Sequence, residues 1–156
     1  MNAVRTQTHP DVTALLTQLL HREQYSLANY LRYAPPWVPP GRAHAWAEVR
    51  RIAEAQRAHA ARIGRLLVQR CGGAASGLFP VEFTRYNDVS LEYLIPHLVA
   101  YQQALVADLE RALGRLGDDA EARRELRTVL DGERKHRDAL LTLAPAADQL
   151  PRRQAA

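Results

Sequence analysis

The sequence predicts an all-α protein, a four-helix bundle of two antiparallel hairpins joined by a long crossover. Four segments repeat apolar residues at spacings of three and four, the signature of one helical face. Clusters that cannot continue a helix, "PPWVPP" and "CGG", punctuate them. Between the second and third segments lies "GGAASGLFPVEFTRYNDV", a connection of roughly twenty residues and far longer than a helical hairpin needs.

The first helix is expected from about Asp11 to Ala34, opened by "THPD" with proline in its first turn. The second runs from about Ala43 to Gln69 and stops at the glycines. The third begins near Ser90 and ends near "RLGDD"; the fourth takes Asp118 or Asp119 as its cap and fades at "LAPAAD". Short first and last connections make hairpins. The middle one can span the ~40 Å of a long helix, so the second and third helices can run parallel.

A chain of 156 residues is expected to form a single domain, 1–156, with its helical core at about 11–143 and flexible tails at 1–9 and 146–156. The formal charge of +4 comes from arginine, Lys135 being the one lysine. Arg42, Arg50, Arg51, Arg57, Arg62, Arg65 and Arg70 make the second helix basic. With no aromatic or loop elements evident beside them, they are expected to form a solvated face and not a nucleic-acid surface. Cys71 stands alone, which excludes an internal disulfide or a cysteine metal cluster. There is no 18-residue apolar run, and "MNAVRTQTHPDV" lacks the apolar core of a secretory signal. A soluble, cytoplasmic protein without membrane contact is expected.

Polar residues interrupt each apolar stripe near its middle. Glu23 lies between Leu19 and Leu27, Gln56 and His59 between Ile52 and Ile63, Gln102 between Leu98 and Leu105, and Glu133 and His136 between Val129 and Leu140. Burying an unpaired amide costs on the order of 1–3 kcal/mol and an isolated carboxylate far more, so these groups need partners. Glu133 and His136, three apart, project the same way and can offer one cation an oxygen and a nitrogen from a single helix.

One Glu from each of two helices and Glu-x-x-His from each of the other two is the pattern that this chain resembles, that of ferritin-like di-iron carboxylate proteins. "HREQYSLANYL", with Glu23 and Tyr30, looks like the first-helix motif of the bacterioferritin and rubrerythrin type. "QRAHAARIGRLLVQRCGG" resembles the second-helix motif and "GERKHRDALL" the fourth, so the likeness covers about residues 11–143. It implies a metal site with Glu23, His59, Glu133 and His136 as ligands, and by extension an iron-oxidising or other oxidoreductase role.

The departures from the family are specific. Gln56 stands where the family has a bridging Glu. Gln102 stands where the third helix supplies its Glu, although Gln103 and Asp108 leave that register open. Two carboxylates balance one divalent ion and not two, which points to one iron, manganese or zinc, with the glutamines as weaker ligands or as hydrogen-bond partners of the ligands. The family binds heme through a methionine, and only Met1 is present, so no heme is expected. Tyr30 is expected to pack with one hydrogen bond, and His9, His21, His44 and His97 fall off the constellation. The first alternative is a metal-free bundle in which the same groups pair with one another, serving as a structural or interaction module; the second is a DNA-associated cage that uses the basic face of the second helix. Leu20, Leu31, Leu67 and Val99, beside the core stripes, suggest buried flanks and hence a homodimer or larger homo-oligomer.

Overall fold

The computed structural model describes residues 10–144. The tails expected to be flexible lie outside the described residues. The helices are α1 (Pro10–Gln24), α2 (Leu27–Tyr30), α3 (Ala43–Cys71), α4 (Leu91–Arg115) and α5 (Ala120–Leu143), with a 3-10 helix, η1 (Val81–Tyr86), in the crossover.

The expected first helix is in fact two pieces. Ser26 is extended, at φ −68° and ψ 161°, and its Oγ accepts the Asn29 N–H to begin α2. A serine side chain that captures a backbone donor competes with the helical ladder. The break leaves carbonyls at the end of α1 without helical partners, and Asn29 Nδ2 donates to one of them, that of Glu23, at 3.2 Å. The stripe survives the break, because Leu19, Glu23 and Leu27 are all buried.

α3 ends where Gly72 turns left-handed, φ 84°, and the Gly72 and Gly73 N–H groups return to the carbonyls of Val68 and Leu67. Asp119, not Asp118, caps α5 by accepting the Ala122 N–H at 3.0 Å. Ser90 caps α4 by accepting that of Tyr93. The crossover is more ordered than a bare loop: η1 buries Phe83 and Tyr86 against the bundle.

Ion pairs fix the directions. Arg42 at the start of α3 meets Glu92 at the start of α4, and Arg70 at the end of α3 meets Asp119 at the start of α5. α3 and α4 are therefore parallel, and α5 runs back beside α3. The same contacts account for much of the basic face of α3, since Arg42, Arg51, Arg57, Arg62 and Arg70 all hold carboxylates of this chain.

The core has two apolar halves. Leu16, Leu19, Ile63, Leu109, Leu126 and Val129 belong to one; Leu27, Val49, Ile52, Leu94, Leu98 and Leu140 belong to the other. Leu31 and Leu67 are fully buried within the chain, while Leu20 and Val99 pack against its core. These three leucines and one valine are covered within the chain, so they do not by themselves point to a second copy. The large apolar side chains that remain exposed include Tyr33, Trp37, Leu78, Val81 and Tyr93. Among the described residues no helix is long and apolar enough to cross a membrane.

Candidate metal centre

Between the two apolar halves lies a polar layer. Glu23 and Glu133 have no exposed surface, Gln56 and Gln102 are 1% and 2% exposed, and His136 is 4% exposed. Each helix delivers its polar residue at the level where the flanking aliphatics of the stripe turn inward, so four helices converge on one point. His59 completes the layer from α3, half-buried.

Glu133 is its hub. Its Oε1 meets His59 Nδ1. Its Oε2 meets His136 Nδ1 at 3.1 Å and accepts from Gln56 Nε2 at 3.3 Å and from Gln102 Nε2. Burial alone would raise the Glu133 carboxyl, but the hydrogen bonds and charges of His136 and His59 outweigh it and hold the group well below the usual carboxylate range. One ligand atom each of His59, Glu133 and His136 lies within 4.8 Å of the other two. The imidazole rings lie nearly parallel, 5.7 Å apart.

Glu23 is the opposite case. Neither of its carboxyl oxygens has a hydrogen-bond partner, although both are buried. Burial, and after it the negative charge of Glu133, pushes this carboxyl well above the ordinary value, with Arg22 opposing. His59 Nδ1 is 3.9 Å from Glu23 Oε2. Two buried carboxyls thus sit side by side, one saturated with donors and one with none.

The glutamines turn their nitrogens to Glu133, and their oxygens are taken. Ser26 Oγ donates to Gln56 Oε1 at 2.6 Å, and Gln56 Nε2 donates to Gln102 Oε1 at 3.1 Å. Gln102 also donates to the Glu133 backbone carbonyl at 3.0 Å. The register of α4 is thereby plain: Gln102 faces the layer, Gln103 is exposed, and Asp108 pairs with Arg22 and Arg111.

The other sequence candidates lie elsewhere. Tyr30 donates to Asn87 Oδ1 at 2.7 Å and stacks edgewise on Phe79, away from the layer. His21 meets the Ala75 carbonyl, His97 meets Tyr86, and Cys71 is exposed at the end of α3.

Four residues that sequence reasoning did not single out shape the centre. Ser26 and Asn29 bind Gln56 and the Glu23 carbonyl, as described above. Tyr101 donates its hydroxyl to the Arg22 carbonyl at 2.7 Å, beside Glu23. Gly132 seats His59: a Cβ there would lie 2.6 Å from His59 Cε1 and 2.8 Å from Nε2. Of these, only Gly132 left a sequence signal, a glycine inside a helix next to Glu133.

The donor set suits a transition metal. Two imidazole nitrogens with carboxylate oxygens match iron, manganese or zinc better than the all-oxygen surroundings that calcium and magnesium take. Glu23, with two buried oxygens and no donor, is what a cation would satisfy.

No family model and no curated protein matches the sequence. Among solved structures, the bundle is similar to that of Mycobacterium smegmatis Dps in its tetragonal form, with a TM-score of 0.65 over 97% of this chain and 100% of that one. Identity is 14%, so the likeness establishes a shared ferritin-like fold and nothing finer.

Proposed function

We propose that this chain is a ferritin-like metal-binding protein whose centre holds one divalent ion, iron, manganese or zinc, between Glu23, His59, Glu133 and His136. The observation that carries the reading is Glu23. A carboxyl fully buried beside a second carboxyl, with neither oxygen hydrogen-bonded, is costly as it stands, and a cation shared with Glu133 removes that cost. Gln56 and Gln102 orient Glu133 through their Nε2 donors and are the weaker ligand candidates. The resemblance to bacterioferritin- and rubrerythrin-type proteins adds iron oxidation as the role to test. Bound iron would supply one-electron redox chemistry, whereas zinc would leave a structural centre. The residues of the chain would hold the ion, and the apolar halves exclude water from it.

Calorimetric titration of chelator-treated protein with zinc or anaerobic iron(II) tests this. One ion per chain is expected, with a heat that depends on the buffer's ionisation enthalpy, because metal displaces the proton that burial holds on Glu23. Absence of binding would return the centre to the second reading, a metal-free structural module. That reading has its own support in Glu133, whose oxygens already have four donors from within the chain. Self-association is also part of the proposal: Trp37, Leu78, Val81 and Tyr33, all more than half exposed, suit a contact with a second copy. Sedimentation of the intact chain tests it, with a purely monomeric species as the contrary result.

A further inference from the structure

The chain contains a cavity of about 490 Å³, bounded by α1, the crossover and α4. This volume lies within the range of small-molecule sites, roughly 300–1,000 Å³. Tyr101 lines it and also lines a small inner void against Gln56 and Gln102, so one tyrosine separates the cavity from the polar layer. Tyr25, Phe83 and Tyr86 supply further rings, with Leu27 and Leu78 between them.

The charges that line it are unevenly matched. Arg22 lays its guanidinium over the Tyr101 ring, 4.6 Å from the centroid. Its Nε and Nη2 are buried without a hydrogen-bond acceptor; Asp108 Oδ2, 3.3 Å from Nε, gives a charge contact without hydrogen-bond alignment. Arg85, at the cavity's rim on η1, donates to the Tyr86 hydroxyl at 2.9 Å and stacks over that ring, and among the described residues it has no carboxylate partner. Glu82 is the one acid in the lining. Aromatic walls favour a planar ring, and a guanidinium without a carboxylate partner, that of Arg85, favours an oxyanion acceptor.

We propose that this cavity binds a small aromatic oxyanion, its ring held among the tyrosines and its carboxylate met by the Arg85 guanidinium at the rim. The assignment is independent of the metal reading, since Arg85 is not part of the polar layer.

The probe is para-fluorobenzoate, followed by fluorine NMR on the intact chain, with para-fluorobenzyl alcohol as the uncharged ring and acetate as the ringless anion. Benzoate is expected to bind at least tenfold more tightly than either control. Arg85→Gln, an exposed change, is expected to weaken benzoate by about tenfold, equivalent to 1.4 kcal/mol, and to leave the alcohol unchanged. Ala100→Phe, which introduces a ring into the cavity from an exposed position on α4, is expected to abolish binding without lowering the melting temperature. In crystals of the parent soaked with para-iodobenzoate, the iodine anomalous peak belongs between Tyr86 and Tyr101, a readout that needs no variant. The proposal is overturned if the alcohol binds as well as benzoate, if Arg85→Gln changes nothing, if Ala100→Phe retains binding, or if side chains of a second copy fill the cavity and exclude the probe.

Discussion

Gly132→Ala is the smallest perturbation that tests the geometry of the centre. A glycine in a helix normally gains about 1 kcal/mol on replacement by alanine. At Gly132 the added Cβ would lie 2.6 Å from His59 Cε1 and 2.8 Å from Nε2, where carbon contacts settle near ~3.5 Å. The imidazole must retreat by about 1 Å, which takes Nδ1 out of hydrogen-bond range of Glu133. Loss of a charge-assisted bond to a buried carboxylate costs about 1.5–3 kcal/mol. Set against the helical gain, the net is a destabilisation of about 0.5–2 kcal/mol, a fall in melting temperature of roughly 1–8 °C for a chain of this size. Gly114 is the internal control: it is exposed in α4 and has nothing within 4 Å of the position a Cβ would take, so Gly114→Ala should raise the melting temperature by about 2–3 °C. Thermal unfolding of the three metal-free proteins by circular dichroism decides. If Gly132→Ala is stabilised as Gly114→Ala is, His59 is not seated as described. In the metal-loaded state Gly132→Ala should also lose affinity, because the displaced ring carries a ligand atom.

Three further predictions concern the same layer. Glu23 has a raised carboxyl pKa and Glu133 a depressed one, so metal-free protein should lose stability as pH rises above about 4.3 toward the raised Glu23 value, and the Glu133 contribution should be lost as pH falls below about 4.3; denaturant midpoints for the parent and Glu23→Gln should diverge with rising pH in favour of the variant, and parallel curves would contradict the assignment. Ser26→Ala removes both the α2 cap and the donor to Gln56 and should cost about 1–2 kcal/mol, read from urea unfolding; a neutral result would mean that Ser26 does not hold the break. Changing Gln56 and Gln102 together to glutamate places four carboxylates around two imidazoles, so the variant should be less stable than the parent without metal and should bind two iron(II) ions per chain by elemental analysis. A stoichiometry that stays at one would show that the layer has repacked.

Much of this architecture was legible because burial leaves a periodic trace. Leu19, Glu23 and Leu27, like Val129, Glu133 and His136, sit at spacings that put them on one face whatever the neighbouring helices do. The same periodicity hid the break at Ser26, because the stripe passes through it without changing phase and only a local hydrogen bond ends the ladder. η1 escaped because its two buried rings, Phe83 and Tyr86, make too short a pattern to separate from a loop. Leu31 and Leu67 looked surplus to a four-helix stripe; Leu67 packs into one apolar half and Leu31 into the other, which is a tertiary property. The register of Gln102 over Gln103 or Asp108 rested on which residue meets Glu133, and a single helix does not encode that. Gly132 was visible as a residue, but its reason, the ring of His59 arriving from α3, is a contact across 73 positions of sequence.

The central claim is that Glu23 and Glu133 share one cation with His59 and His136. Anomalous diffraction from crystals loaded with zinc, collected on either side of the zinc edge, tests it most directly. The account predicts one peak per chain within bonding distance of a Glu23 oxygen, a Glu133 oxygen and the Nδ1 atoms of both histidines. It is contradicted by two peaks in the layer, or by an empty layer in which Glu23 has found a protein hydrogen-bond partner.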